Sequence, residues 1–163
     1  MNKIVIAGGC FWGVEAYFKQ LKGVVDTSVG YANGDKKNPT YQEVCTGRYG
    51  FVEACEITFT DLTYKQIFDH LFRIINPYAI NKQGGDVGIQ YRTGIYYTDD
   101  LVKNQAEAYI EEKQKESSLK IVVEVKKLEN YYLAEDYHQD YLDKNPNGYC
   151  HVNLNLVKNE EKK

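Results

Sequence analysis

At 163 residues, 43% hydrophobic and 26% charged, the chain predicts one domain, 1–163, able to bury a core without covalent staples. A formal net charge of -3 leaves no electrostatic footprint for nucleic acid, and no apolar run approaches the roughly 18 residues that a membrane span needs, so neither partner is expected. The opening "MNKIVIAGG" is too short an apolar segment for a signal peptide, which points to the cytoplasm. Cys10, Cys45, Cys55 and Cys150, at wide and irregular spacings, then read as reduced thiols rather than a disulfide framework. The unusual count is fifteen tyrosines against six phenylalanines, since phenols supply flat apolar area with a hydrogen-bonding tip.

Lys3 to Ala7 is a short β-branched run followed by Gly8-Gly9, which predicts a buried strand closing in a tight turn. Val14, Phe18 and Leu21, with Tyr17 alongside, recur at helical spacing, and Gly23 is the expected stop. Val24 to Ala32 reads as a second strand, and Asn33 to Thr40, with Asn-Gly and Asn-Pro steps, as loop. Phe51 to Phe59 is a third strand with Val52, Ala54, Ile57 and Phe59 inward and Cys55 breaking the period as a packing residue; Glu53 falls on the face opposite Val52 and Ala54. Thr63 to Gln66 fits a capping box for a helix striped by Ile67, Leu71 and Ile74 or Ile75 and closed by Asn76-Pro77. Thr93 to Tyr97 is a fourth strand, Asp99 or Asp100 caps a helix running to about Glu116, and Lys120 to Val125 is a fifth strand. Ala134 to Asn145 predicts a short helix, and residues from about 153 to 163 a solvated, frayed tail. The order β-α-β-β-α-β, then α-β, predicts an α+β two-layer fold: a mixed sheet with helices on one face, a ferredoxin-like core, an extra helix and strand, and a loop-rich C-terminal segment.

Cys10 stands where the first strand gives way to the first helix. Unpaired N–H groups and partial positive charge at a helix start lower a thiol pKa, so a thiolate at neutral pH is expected. The plain alternative is a buried cysteine packing at a strand end. "GGCFWG" is no phosphate-binding loop, because it lacks the G-x-G-x-x-G spacing and Phe11 and Trp12 would block close approach. Three readings compete: a catalytic redox thiol, a thiol redox sensor, and a cysteine hydrolase using His70, His138 or His151 as base. His70 is expected to be exposed or interfacial and His138 structural; Cys150-His151 lacks the ligand spacing of a zinc site.

"AGGCFWGVEAYF", "VGYANGDKKNPTYQEVCTGRYGFVEA", "QGGDVGIQYRTGIYY" and "YYLAEDYHQDYLDKNPNGYC", in this order from Ile4 to about Cys150, resemble the peptide methionine sulfoxide reductases of the A class. The resemblance implies that Cys10 is the nucleophile and Glu53 the acid that protonates the sulfoxide oxygen. It implies further that Tyr41 and Tyr91 hold that oxygen, that Asp86 is a further polar member of the site, and that Phe11 and Trp12 wall in the S-methyl group. Cys150 matches the resolving cysteine, with thioredoxin or a similar dithiol as reductant, methionine S-sulfoxide in proteins or free as substrate, no cofactor or metal, and a monomer. Cys45 has a family counterpart without a usual role in turnover. The chain departs from the pattern at Phe51, where many relatives carry histidine, at Gly85 and Ile89, where Asn and Thr are common, and after Cys150, where no further cysteine follows.

Overall fold

The computed structural model describes all of Met1–Lys163. Six strands form one mixed sheet: β1 (Asn2–Gly8), β2 (Val24–Ala32), β3 (Val52–Phe59), β6 (Thr93–Tyr97), β7 (Glu124–Lys127) and β8 (Tyr131–Leu133), in the order β7-β6-β1-β3-β2-β8. β1 lies between β3 and β6 and is antiparallel to both, β2 is antiparallel to β3 and β8, and only β6 and β7 run parallel. Lys82–Gln83 (β4) and Asp86–Val87 (β5) make a separate small hairpin.

Helices α1 (Phe11–Lys19), α3 (Tyr64–Ile74) and α4 (Asp100–Lys115) bury Val14, Phe18, Ile67, Leu71, Val102 and Ala106 in one apolar layer with Ile4, Ile6, Ile57 and Ile95 of the sheet. The capping box of α3 is formed: Thr63 Oγ1 accepts from the Gln66 amide at 3.1 Å, and Gln66 Oε1 accepts from the Thr63 amide at 2.8 Å. Asp99 caps α4 through the Val102 amide. Two one-turn helices, α2 (Tyr41–Cys45) and α5 (Tyr141–Lys144), complete the set.

β3 keeps strict alternation, and Cys55 does not break it. Cys55, Ile57 and Phe59 belong to the helix-side core, whereas Val52 and Ala54 face a second buried layer with Val5, Ala7, Ala32 and Tyr96, against which Leu128 and Tyr131 pack. Both faces are therefore covered at the centre of the sheet, so a strand buried on both sides reads as an almost continuous apolar run.

Other expectations shift. α1 ends at Lys19, not at Gly23, because Leu21 turns out to bridge Lys162. The expected fifth strand, Lys120 to Val125, pairs only over Glu124–Lys127. The amides of Ile121 and Val122 are taken by Gln114 Oε1 and the Pro77 carbonyl, which removes that stretch from the sheet ladder. The helix expected over Ala134 to Asn145 is split into a 3-10 turn at Asp136–His138 and α5 by Asp140, whose φ of 54° is left-handed. The tail is docked rather than frayed: the Lys22 amide donates to the Glu161 carbonyl at 2.8 Å, and Arg73 on α3 grips the Glu161 carboxylate at 2.7 and 3.1 Å.

Candidate active site

β1 runs into Gly8-Gly9, and Cys10 caps α1. Gly9 has φ +88°, and a Cβ there would sit 2.7 Å from Gln83 Cβ and 2.9 Å from His151 Nε2, so the turn that delivers Cys10 tolerates no side chain. Cys10 is the N-terminal flanking residue of the helix and makes no side-chain cap. Cys10 is 7% exposed. Burial pushes the thiol well above its ordinary range, the negative charges of Glu53, Asp86 and Cys150 push the same way, and only the Trp12 amide opposes them. The expected thiolate is thus corrected to a neutral thiol at rest: loss of hydration outweighs the helix end.

Glu53 shares this side of the sheet. Its Oε1 accepts from the Phe11 amide at 3.2 Å, one residue past Cys10. Its Oε2 is buried and has no hydrogen-bond partner. Burial raises the Glu53 pKa to about 8, with the Phe11 amide pulling down and Asp86 adding to the rise. A protonated carboxyl bonded in this way has one oxygen occupied as acceptor and a second free to donate.

Tyr41 opens α2, which is capped by Thr40 and Glu43, and its hydroxyl sits beside the Tyr91 hydroxyl and the Cys45 thiol. Burial comes first in raising both phenols, and the Glu53 charge adds to each, so both stay protonated donors. Asp86, on β5, accepts from Tyr149 Oη at 2.9 Å and acts electrostatically on Cys10, Glu53 and Tyr91. Cys150 follows Tyr149. Its Sγ donates to the Val152 carbonyl at 3.2 Å and packs on Gly13, where an added Cβ would lie 3.1 Å from the sulfur. Glu53 and Cys150 thus touch the first turn of α1, through the Phe11 amide and Gly13, and Asp86 and Tyr91 lie close enough to act electrostatically with Cys10. Phe51 is buried, edge-on to Tyr132 with centroids 6.2 Å apart, and offers Glu53 no hydrogen bond.

Phe11 packs its ring against Tyr31 and His138, at centroid distances of 5.7 and 5.2 Å. Trp12 is half-buried, stacked on Tyr141 at 3.7 Å and 7°, with its indole N–H donated to His138 Nδ1 at 2.9 Å. Sequence reasoning missed the residues that hold this cluster. Glu135 accepts from Tyr31 Oη at 2.7 Å and from the Tyr41 amide at 3.0 Å. Buried Glu15 accepts from Thr27 and from the Asp140 amide, and Gln139 bonds both backbone groups of Val29. The available signal was a dense run of polar and aromatic residues at 135–141, which the helix reading of Ala134 to Asn145 absorbed.

The histidines are engaged elsewhere. His70, expected to be exposed or interfacial, is buried and bonded through Nδ1 to Tyr17 Oη at 2.7 Å. His151 Nε2 donates to the Gly8 carbonyl at 2.8 Å, and His138 holds Trp12, so none serves Cys10 as a hydrolase base.

The family model described as peptide methionine sulfoxide reductase matches residues 2–163. The chain belongs to the peptide methionine sulfoxide reductase family. It is 53% identical over 156 residues to a peptide methionine sulfoxide reductase MsrA of Clostridium perfringens, covering 94% of this chain and 99% of that protein. A Ureaplasma urealyticum MsrA is 48% identical over 164 residues, covering 97% of each. Among solved structures, reduced Mxr1 of Saccharomyces cerevisiae matches with a TM-score of 0.87 at 39% identity, covering 94% of this chain and 91% of Mxr1. The methionine sulfoxide reductase A of Corynebacterium diphtheriae matches at 0.78 and 34%, covering 91% and 77%. A further structure is of Mxr1 in complex with Trx2, with a TM-score of 0.60, 26% identity and coverage of 86% and 84%. This chain is accordingly a peptide-methionine sulfoxide reductase, an oxidoreductase working through thiol chemistry, and no helix of the reductase is long and apolar enough to cross a membrane.

Proposed function

We propose that the substrate is methionine S-sulfoxide, free or within proteins, and that Cys10, Glu53 and Cys150 carry the cycle. The observation that carries this reading is Glu53: a buried carboxyl beside a buried thiol, one oxygen engaged by the Phe11 amide and the other unpartnered. With its pKa raised to about 8, Glu53 holds a proton at neutral pH and donates it from Oε2 to the sulfoxide oxygen. Protonation makes the sulfoxide sulfur more electrophilic. Cys10 Sγ attacks it while the thiol proton replaces the one Glu53 has given up. Oxygen then transfers to Cys10. One thiol and one sulfoxide become one sulfenic acid and one thioether, with two electrons passing from the Cys10 sulfur to the methionine sulfur.

Tyr41 and Tyr91, as phenolic donors, stabilise the charge that grows on the departing oxygen, and Asp86 organises the same corner. Phe11 and Trp12 form the apolar wall for the S-methyl group. The Cys150 thiol then condenses with the sulfenic acid, releasing water and forming a Cys10–Cys150 disulfide, which a dithiol reduces by exchange. The complex of Mxr1 with Trx2 supports a thioredoxin-like reductant for this chain as well. In this reading that reductant meets the Cys10–Cys150 disulfide directly, on a monomer.

The test is single-turnover release of methionine from the S and R epimers of a peptide sulfoxide. The S epimer alone is expected to react; Cys10→Ser abolishes release, and Glu53→Gln slows it about 100-fold or more, the scale of a lost general acid. Equal rates on both epimers, or a Glu53→Gln rate equal to the parent's, would overturn the reading.

A further inference from the structure

The strap around Cys150 is fastened residue by residue. Tyr149 Oη donates to Asp86 at 2.9 Å, and Cys150 Sγ donates to the Val152 carbonyl at 3.2 Å. Val152 is buried, and a Cβ on Gly13 would lie 3.0 Å from its Cγ2. His151 reaches the other way. Its Nε2 lies 2.8 Å from the Gly8 carbonyl, and because a carbonyl can only accept, Nε2 carries the proton. Nδ1 is buried with no partner, so the bond to Gly8 is the ring's sole hydrogen bond. The ring also fills the space left by two left-handed glycines. A Cβ on Gly9 would lie 2.9 Å from Nε2, and one on Gly84 3.3 Å from the His151 Cβ.

These contacts straddle the nucleophile. Gly8 precedes Cys10 on the turn out of β1, and Gly13 follows it on α1. His151 therefore ties the chain just after Cys150 to one side of Cys10, and Val152 ties it to the other. For the two sulfurs to meet, Cys150 Sγ leaves the Val152 carbonyl and Gly13. The His151 bond is made to the turn that carries Cys10 itself, so it persists while Cys150 swings. A thiol whose neighbour is pinned beside its target makes a local rotation, whereas one on a loose strap makes a search, and the pinned thiol has the higher effective concentration.

We propose that His151 is a positioning residue for the resolving step: by donating to the Gly8 carbonyl it keeps the strap on the Cys10 turn, so that Cys150 reaches the oxidised sulfur quickly. The proposal rests on the reading of Cys150 as the resolving thiol. The step is a condensation in which the S–S bond forms, the S–O bond of the sulfenic acid breaks, and the oxygen leaves as water with the Cys150 proton. His151 has no part in methionine release, which precedes it.

The two stages separate in one experiment. The reduced chain is mixed with one equivalent of a methionine S-sulfoxide peptide and no reductant, and quenched samples are read for methionine and, after alkylation with iodoacetamide, for thiols by mass. The four free thiols should fall to three as Cys10 is oxidised and to two as Cys150 joins it. His151→Gln carries an amide N–H to the reach of Nε2, His151→Asn stops one bond short, and His151→Phe keeps a ring with no donor. Asn and Phe should slow the second loss about fivefold or more, the scale of one hydrogen bond, with methionine release within about twofold of the parent. Capture of the sulfenic acid by dimedone should rise in both. Gln should return disulfide formation to within about twofold of the parent, because it restores the donor.

Disulfide formation at the parent rate in both Asn and Phe would overturn the proposal, as would equal slowing by Gln and Asn. Methionine release slowed by the same factor as the disulfide would overturn it too, since the bond would then shape the nucleophile's turn rather than guide the strap. Should His151→Phe fail to fold, the contrast of Asn against Gln decides. A parent whose count stops at three, or whose disulfide joins Cys10 to another cysteine, would instead sink the reading of Cys150 as the resolving thiol.

Discussion

Glu53 carries a proton that the unfolded chain would not. Its folded pKa is about 8 against an ordinary 4.5, with burial as the leading cause. Between those values the folded chain keeps the proton and the unfolded chain has lost it, so unfolding releases a proton and stability falls as pH rises through the window. The contribution is whole below about 4.5 and gone above about 8. Glu53→Gln removes this titration, so its stability relative to the parent should climb from pH 5 to about pH 8 and level off above it, read as the difference in urea midpoints at each pH. A constant difference would contradict the buried, protonated carboxyl. The orientation of Glu53 was legible from period-two alternation, since Val52 and Ala54 bracket it on the other face. The state of Cys10 was not legible, because it follows from burial in the folded chain and from charges 43 to 140 positions away, such as Glu53 and Cys150, and a helix end seen in sequence carries none of that information.

The helices and strands with a strong period or a cap, such as α3 with Thr63 and Gln66, declared themselves locally. The segment around α5 did not, because its shape answers to partners more than a hundred residues away: Gln139 to Val29, and Asp140 to Glu15. The C-terminal strap has the same character. Arg73 holds Tyr17, the Leu156 carbonyl and both oxygens of Glu161, and Arg73 comes first in depressing the Glu161 carboxyl to about 2. The strap is thereby strongest above the ordinary carboxylate range, near 4.5, and loosens as pH falls toward 2. Arg73→Ala should undock the last residues while α3 persists. Hydrogen exchange at the Lys22 amide, which donates to the Glu161 carbonyl, should then quicken about tenfold or more, on the scale of a lost charged hydrogen bond of 1.5–3 kcal/mol. Unchanged exchange there would show that the strap is held by its other contacts.

At the scale of the molecule, the sheet brings together what the chain separates. β1 and β3 are neighbours, which places Glu53 beside the turn after β1, and the strap that begins beyond α5 lays Cys150 on α1. The α+β class and the covered helix face could be read from element order, whereas β8 could not, since three residues after a turn carry too little pattern to announce an edge strand. The two-cysteine cycle proposed above belongs to this scale, because it would join the two ends of the site. Cys150→Ser should release one equivalent of methionine at the parent rate and then stall with a thioredoxin-like reductant. Sustained turnover at the parent rate would mean that another thiol, such as Cys45 beside Tyr41, resets Cys10.

The seat of Cys150 on Gly13 bears on the cycle proposed above. Gly13 lies three residues into the helix from Cys10, a rise of about 4.5 Å, and the Cys150 sulfur is tethered there by its own backbone two residues on. In the cycle proposed above, an oxidised Cys10 must wait for that tether to let go. The interval is the period during which peroxide can drive the sulfur on to an irreversible sulfinic acid. A catalyst of repair is thus itself open to damage once per round, and the near-complete enclosure of Cys10 shields the waiting sulfur while its partner travels.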